Sequence, residues 1–342
     1  MRIPVIDVSR FTHGSPGERA GVVEAIDRAA SDVGFMQIVG HGIPVATEQG
    51  LKAALDGFFG LPLDEKLAWR PSEVHLNRGY TAPRTESLSY SLGLTSAADL
   101  FEAFNVGTPA SHFPGLDLPA ATYPENIWPT APETFRPQIE AWFAATARLA
   151  RQMTRIFEPA LGLPEGYFAP FQDHSVDVLR LNHYALPEGE VRLEAGQMGM
   201  GAHTDFGIVT ILWADPVTPG LQVLDGAGLW HDVVPIPGAL LINLGDVLAR
   251  WTNDRWISTM HRVLPSIDAQ GRPHRRRSAA FFHDGNFDAL ITCLPGCADA
   301  DRPARYGPVT VAEHISAKLA GSRGLKLNKN AAHEAQRLRS TS

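Results

Sequence analysis

The chain has 342 residues, of which 44% are hydrophobic and 20% charged, a composition typical of a folded globular protein that excludes extensive disorder. The formal net charge of −7 disfavours binding to nucleic acids and anionic membranes. No apolar stretch approaches the roughly 20 residues that a membrane-spanning helix needs, and the first residues show no apolar signal core. With two cysteines only, the chain is predicted to be cytoplasmic, without nucleic-acid or membrane partners.

The front of the chain predicts alternating strands and helices. Pro16 stands near the start of a segment in which Val22 and Ile26 recur at helical spacing, so a helix is predicted there. In chain order the predicted elements are a strand at 3–7, a helix at 16–33, a strand at 34–39, a turn at 40–44 and a helix at 45–60. Residues 61–130, rich in Pro, Gly, Ser and aromatic residues, are predicted to be irregular, and a long helix is predicted at 132–161.

Short β-type segments dominate from about residue 175 and are separated by turn signals such as Pro219-Gly220. They are predicted at Val176–Tyr184, Phe206–Trp213, Leu221–Leu224, Trp230–Val234, Ala239–Leu244, Met260–Leu264 and Ser278–Phe282. Many short strands at this spacing are typical of an antiparallel sandwich or barrel. A helix is predicted at 311–319, and a loose polar tail is predicted from Lys326 onward.

No linker separates the helical front from the β-rich back, so one structural unit is predicted rather than independent domains. The expected fold class is mainly β with helical decoration. Within this unit we expect an N-terminal α/β region at 1–120, a β-rich core at 175–290, and helical support with a tail at 121–174 and 291–342.

The clearest chemical motif is His203-Thr204-Asp205, which lies among the β-type segments. Because side chains two residues apart in an extended strand project to the same side, His203 and Asp205 can offer an imidazole nitrogen and a carboxylate oxygen to one metal ion. A third ligand must come from elsewhere. Two histidines and one carboxylate on one face of an octahedron leave three positions open, which suits non-haem Fe(II) that also binds O₂ and substrate. Alone, so short a motif also fits a polar turn.

Two later segments give this motif a context. His261 stands on a further β-type segment, well downstream of Asp205. Arg276, Ser278 and Phe282 share one face of a predicted strand because side chains alternate with a period of two. An inward arginine is costly unless an anion meets it, and a guanidinium beside a hydroxyl suits a carboxylate. The sequence therefore predicts an anion site on this strand.

Longer segments around these residues form a recognisable series. They are IPVIDVSRF, GFMQIVGHGIP, RGYTAP, DLFEAFNVG, PENIWP, LRLNHYALPEG, GAHTDFGIVTILWAD, the stretch from GLQVLDG to STMHRV, and RRRSAAFF. In this order and spacing they resemble the iron(II)/2-oxoglutarate-dependent dioxygenases of the isopenicillin N synthase-like family. The resemblance covers most of the chain and implies a double-stranded β-helix (jelly-roll) core with helices packed around it.

The resemblance also implies a site. His203, Asp205 and His261 would hold Fe(II), with 2-oxoglutarate as co-substrate and O₂ as the oxidant. Arg276 and Ser278 would bind the distal carboxylate of 2-oxoglutarate.

Further candidates lie nearby. Within LRLNHY, Asn182 and Tyr184 match family positions close to the co-substrate. The predicted strands place Thr210, Leu212 and Phe282 as candidate walls of a substrate pocket. In the family, four further positions lie in segments that approach the active site, namely Arg78, Tyr80, Phe104 and Asn105.

The function that the resemblance implies is oxidative decarboxylation of 2-oxoglutarate to succinate and CO₂, coupled to oxidation of a C–H bond in a small organic metabolite. The outcome would be hydroxylation, or else desaturation or cyclisation. Two alternatives stay open. An oxidase of isopenicillin N synthase type would use Fe(II) and O₂ without 2-oxoglutarate, and Arg276 and Ser278 would then hold a substrate carboxylate. A jelly-roll protein that binds a metal or ligand without catalysis is the second alternative.

Overall fold

The computed structural model describes residues 2–73, 76–92, 96–185, 193–194, 196–216, 218–267 and 272–324. Its strands are β1 (Val5–Asp7), β2 (Phe35–Val39), β3 (Gly79–Thr81), β4 (Glu102–Gly107), β5 (Val178–Tyr184), β6 (Met200–His203), β7 (Val209–Ala214), β8 (Leu221–Leu224), β9 (Trp230–Asp232), β10 (Leu240–Leu244), β11 (His261–Val263), β12 (Arg276–His283), β13 (Leu290–Ile291) and β14 (Val309–Thr310). Its α-helices are α1 (Ser9–His13), α2 (Pro16–Asp32), α3 (Val45–Phe59), α4 (Leu63–Leu67), α5 (Phe135–Ala160), α6 (Asp246–Trp251) and α7 (Val311–Gly324). The tail predicted from Lys326 onward lies outside the described residues.

Two sheets form the centre of the fold. The large sheet has the strand order β1-β2-β10-β7-β12-β5-β4-β3, and the small sheet has the order β6-β11-β8-β9. Apart from the parallel pair β1 and β2, neighbouring strands are antiparallel. Strands from the front of the chain extend both edges of the sheet that β5, β7, β10 and β12 build. The mainly β, jelly-roll architecture with helical decoration is therefore confirmed.

The outer face of the large sheet is covered by helices. α2 begins at a capping box in which Ser15 and Glu18 satisfy each other's backbone N–H groups, with Pro16 in the first turn. The long helix α5 packs against α2, α3 and β12 and buries Trp142 and Phe157 in the outer hydrophobic core. Among the described helices, none is both long and apolar enough to cross a membrane.

The inner face of the large sheet meets the small sheet. A second apolar cluster joins Phe35 and Leu241 of the large sheet to Leu221, Val223 and Val263 of the small one. The space between the sheets that this cluster leaves open is the cavity that adjoins the metal site.

The helices predicted at 16–33, 45–60 and 132–161 are confirmed as α2, α3 and α5. The prediction that residues 61–130 are irregular is wrong in part, because this region contains α4, β3 and β4. All six residues of β4 are buried, so the strand has no exposed face and lacks the polar alternation that marks a half-buried strand. Its Glu102 is accommodated by a buried ion pair with Lys66.

Candidate metal centre and adjoining cavity

Three side chains that can bind a metal converge where β6 ends and β11 begins. His203 and His261 are paired across these antiparallel strands, and Asp205 follows β6 by two residues. Each imidazole Nε2 lies 3.7 Å from Asp205 Oδ1. One ligand atom from each residue lies within 4.8 Å of the others, and all three residues are buried. The structure thus brings together the three residues that the sequence predicted as ligands.

Backbone carbonyls orient both imidazoles. His203 Nδ1 lies 2.7 Å from the carbonyl oxygen of Gly201, and His261 Nδ1 lies 3.0 Å from that of Thr259. Donation from Nδ1–H leaves each Nε2 lone pair directed toward Asp205, the arrangement that a metal-binding imidazole needs. Burial, together with the neighbouring His261, lowers the pKa of His203 to about 3, so that this imidazole is neutral at pH 7.

The carboxylate ligand is held from the adjacent large sheet. Thr210 Oγ1 and Asn243 Nδ2 donate to Asp205 Oδ2 at 2.5 Å and 2.6 Å, and Oδ1 remains directed toward the imidazoles. Thr210 and Asn243 are cross-strand partners on β7 and β10. Two imidazoles and one carboxylate therefore direct their ligand atoms into one small space. This donor set fits Fe(II) and leaves coordination positions free for other ligands.

Sequence reasoning missed Asn243, although a signal was present. Asn243 is the single polar residue of the otherwise apolar strand Leu240–Leu244. A buried amide in such a strand requires a hydrogen-bond partner, and here the partner is Asp205.

The loop between the ligands is fastened to α7. Thr204 Oγ1 donates to Asp246 Oδ2 at 3.0 Å, and the backbone N–H of Asp246 donates to the carbonyl of Asp205. The buried Lys318 of α7 lies 2.5 Å from Asp246 Oδ2 and donates to Thr204 Oγ1 at 2.9 Å. Burial alone would raise the pKa of Asp246, but the charges of Lys318 and His314 outweigh it and hold that pKa below its ordinary value. This ion pair fixes α7 beside the metal ligands.

A buried arginine with unsatisfied hydrogen-bonding capacity faces the same cavity. Arg276 is 1% exposed, and its Nε and Nη1 have no hydrogen-bond partner among the described residues. Its guanidinium carbon lies 4.9 Å from the ring centroid of Tyr184. Beside it, Asn182 Nδ2 lies 3.4 Å from Ser278 Oγ. A buried cation in this state is costly unless an anion meets it, so these four residues form a fitting site for a carboxylate.

The metal ligands and Arg276 open into one cavity between the sheets. Its empty volume is about 1020 Å³, including its opening to solvent. Four predicted wall residues line it, namely Asn105, Thr210, Leu212 and Phe282.

Three other predicted wall residues lie elsewhere. The buried Arg78 packs beneath Gly107, where its guanidinium donates to the backbone carbonyls of Thr108 and Pro124. It therefore supports the loops that flank β4 and does not line the cavity among the described residues.

The prediction is also wrong for Tyr80 and Phe104, because successive side chains of a strand point to opposite faces of the sheet. They are cross-strand partners on β3 and β4. Because Asn105 faces the cavity, its neighbour Phe104 and the opposing Tyr80 face the outer core. There both rings pack against Phe58, and the Tyr80 hydroxyl donates to Glu102 at 2.5 Å.

Charged residues that sequence reasoning missed also line the cavity. Arg180 lines the cavity, and its Nη2 donates a hydrogen bond to Glu86 Oε2 at 2.6 Å. Asp284 is 8% exposed, and burial together with nearby carboxylates holds its pKa well above the usual range. The period of two along β12 could have found Asp284, since it continues the inward series after Phe282.

Comparison with protein families finds two matches. Residues 3–131 match the family model described as the N-terminal region of non-haem dioxygenase in morphine synthesis. Residues 175–285 match the model of the 2OG-Fe(II) oxygenase superfamily. The two matches together include the metal ligands, the anion site and the described cavity wall except Ile315 and Leu319 of α7.

Several curated proteins and solved structures are similar along nearly the whole chain. A 2-oxoglutarate-Fe(II) type oxidoreductase of Emericella nidulans is 34% identical over 91% of this chain and 88% of its own length. Validamycin A dioxygenase of Streptomyces hygroscopicus is 32% identical over 92% of this chain and 85% of its own length. The structure of a Neurospora crassa protein in complex with alpha-KG and thymine has a TM-score of 0.81 at 29% identity, covering 93% of this chain and 96% of that one.

Proposed function

This chain belongs to the 2OG-Fe(II) oxygenase superfamily, and from this premise we propose that His203, Asp205 and His261 hold its Fe(II). The chain is an oxidoreductase that uses Fe(II), O₂ and 2-oxoglutarate. Its reaction couples decarboxylation of 2-oxoglutarate to succinate and CO₂ with oxidation of a C–H bond in a small organic metabolite. The observation that carries the assignment of residues is that the metal-binding triad and the unsatisfied Arg276 face one cavity.

The triad's part in the reaction is to hold the metal in one geometry. Fe(II), when bound, supplies the O₂ chemistry that side chains lack. Hydrogen bonds to the carbonyls of Gly201 and Thr259 keep both Nε2 atoms available to the metal. Thr210 and Asn243 hold one carboxylate oxygen of Asp205, so the other stays turned to the metal.

Arg276 and Ser278 are proposed to bind the distal carboxylate of 2-oxoglutarate. The nitrogens of Arg276 that lack partners can donate hydrogen bonds to an anion. Such a hydrogen bond is stronger in a buried site than in water. Asn182 and Tyr184 face these residues across the β5–β12 pair and are proposed to orient the co-substrate. Binding there neutralises the buried guanidinium.

The substrate is proposed to bind in the rest of the cavity, against Asn105, Leu212 and Phe282. Apolar side chains on this wall exclude water from the reacting C–H bond. The relatives support a small-molecule substrate, since they include a proline hydroxylase of Petromyces alliaceus and the validamycin A dioxygenase.

The test is substrate-stimulated release of succinate. The protein is loaded anaerobically with Fe(II) and 2-oxoglutarate, exposed to O₂ with a library of small metabolites, and assayed for succinate and oxidised product. We expect equimolar succinate and product with a true substrate. Substrate consumption without succinate would instead support the oxidase in which Arg276 binds a substrate carboxylate. The non-catalytic alternative loses its support, because the named relatives are oxidoreductases.

We also propose a cytoplasmic location. The support is that Cys293 and Cys297 are both free thiols, as expected in a reducing compartment. Fractionation of the source cells tests it, and recovery of the protein outside the cytoplasmic fraction would contradict it.

A further inference from the structure

An unpaired carboxylate lies in the part of the cavity that the co-substrate site does not use. Asp284 is 8% exposed and lines the cavity just beyond the end of β12. In the part of the chain that the structure describes, no hydrogen bond or ion pair reaches its side chain, and its influential charged neighbours are the acids Asp177 and Asp205. Without a partner such a carboxyl stays protonated, whereas a cation beside it favours the ionised form.

The backbone makes room for this carboxylate beside the metal site. Gly207 follows Asp205 by two residues, and a Cβ built on Gly207 would lie 1.9 Å from Asp284 Oδ1. A residue with a side chain at position 207 would therefore displace the carboxylate. The glycine keeps Asp284 close to the loop that carries Asp205.

The charges around the cavity leave Asp284 without a countercharge. Arg180 is paired with Glu86. Under the proposed function, Arg276 is paired with one carboxylate of 2-oxoglutarate, and the two charges of Fe(II) are balanced by Asp205 and the other carboxylate. No cation of the described cavity wall remains for Asp284. An ionised Asp284 would therefore have to draw its countercharge from the substrate.

A second unsatisfied group lies further along the same wall of the cavity. Asn105 is 1% exposed, and neither its amide oxygen nor its amide nitrogen has a hydrogen-bond partner among the described residues. Asn105 pairs with Arg180, which pairs with Ala280, so Asn105 lies two strands (~10 Å) across the sheet from β12 and four residues along it from Asp284. The two polar groups can therefore contact separate parts of one molecule.

We propose that the substrate carries a positively charged nitrogen, in an amine or guanidine, which binds Asp284, while Asn105 hydrogen-bonds a second polar group. This inference rests on the proposed function, because it assumes that Arg276 is occupied by 2-oxoglutarate. It makes Asp284 the residue that selects cationic over anionic substrates.

The test is equilibrium binding of three probes of similar size and different charge, namely 2-phenylethylamine, 2-phenylethanol and 3-phenylpropanoate. Each is titrated by calorimetry into the protein loaded with Mn(II) and 2-oxoglutarate in the absence of O₂. We expect wild type to bind the amine most tightly. Asp284→Asn should weaken amine binding at least ~30-fold, as expected on removal of one partner of a buried charge pair, and alter alcohol binding less than ~3-fold.

Two further variants separate recognition from folding. The control Asp301→Asn removes the same charge from an exposed loop and should leave amine binding unchanged. Asn105→Leu should weaken binding of tyramine, whose phenol adds a second polar group, more than binding of 2-phenylethylamine. It should not lower Tm, because it removes no hydrogen bond of the folded protein. Asp284→Asn should likewise not lower Tm, whereas a merely structural role would lower it.

The proposal is overturned if the amine binds wild type no better than the alcohol, or fails to bind, or if Asp284→Asn leaves its affinity unchanged. Failure of the proposed function is seen separately, as loss of 2-oxoglutarate binding by metal-loaded wild type before any probe is added.

Discussion

The two faces of β12 differ in how buried polar groups are satisfied. Arg276 faces the cavity, and two of its guanidinium nitrogens lack hydrogen-bond partners among the described residues. The next residue, Arg277, faces the opposite side and forms ion pairs with Asp215 and Asp56 at 2.8 Å. Both arginines are buried. Burial alone therefore does not distinguish the two arginines, whereas unused hydrogen-bonding capacity does.

The same difference extends along the strand. On the outer face Phe281 packs edge-on against Phe143 of α5 at 5.1 Å between ring centroids. On the inner face Ser278 and Phe282 border open space in the cavity. The outer face contributes packing energy to the fold. The inner face keeps unfilled space and unsatisfied polar groups, at some cost in stability, for molecules that bind there.

The largest effect is expected on the inner face, from Asp205→Ala. Without the carboxylate only two imidazoles remain, so we expect loss of tightly bound iron and a fall in succinate formation of at least ~10³-fold. Iron content and succinate release are measured together. Asp301→Ala serves as the matched control, and stoichiometric iron in the Asp205 variant would contradict the assigned triad.

Phe281→Ala should show that the outer face provides stability. Phe281 is fully buried, so its truncation should lower the free energy of unfolding by about 3–5 kcal/mol. Phe282→Ala is the paired control and should lower the free energy of unfolding by clearly less, because the Phe282 ring borders an existing cavity. Urea denaturation measures the free energy of unfolding of both variants. An equal decrease in the two would contradict the distinction between the faces.

Adjacent arginines allow a sharper comparison. Arg277→Met leaves the Asp215 carboxylate without its guanidinium partner and should lower the free energy of unfolding by about 1–3 kcal/mol. Arg276→Met removes a buried cation that has no ion-pair partner among the described residues, so we expect equal or greater stability in the absence of 2-oxoglutarate. The same change should weaken 2-oxoglutarate binding by roughly 30–100-fold. Lost stability in Arg276→Met with unchanged 2-oxoglutarate binding would make that arginine structural.

The smallest effect is expected from Thr210→Val, which removes one hydrogen bond to Asp205 and keeps the shape of the side chain. Metal affinity should fall ~10-fold, at the lower end of the effect of losing a residue that orients a ligand. Thr146→Val removes a comparable buried hydroxyl within α5 and should leave metal affinity unchanged. Titration with Co(II) measures both, and equal affinities would show that Thr210 does not support the metal site.

Local patterns were sufficient for the helices α2, α3 and α5 and for part of the metal site. Apolar spacing and a start signal near Pro16 predicted α2, and the alternation of strands put His203 and Asp205 on one side of the chain. Local patterns failed at β4, where Glu102 is buried. An ion pair with Lys66, distant in sequence, satisfies that carboxylate, and no local pattern reports such a partner.

The sequence by itself determined the kinds of ligand, the face of β12 that carries Arg276 and Ser278, and the family resemblance that pointed to Fe(II) and 2-oxoglutarate. Only the tertiary structure decided which cavity these residues share and that Asn105, rather than Phe104, faces it. It also revealed that Asn243 supports Asp205, and that Asp284 has no hydrogen-bond or ion-pair partner in the described part of the chain. The reason is physical: backbone periodicity is a local property, whereas the satisfaction of a buried polar group depends on strands brought together from distant parts of the chain.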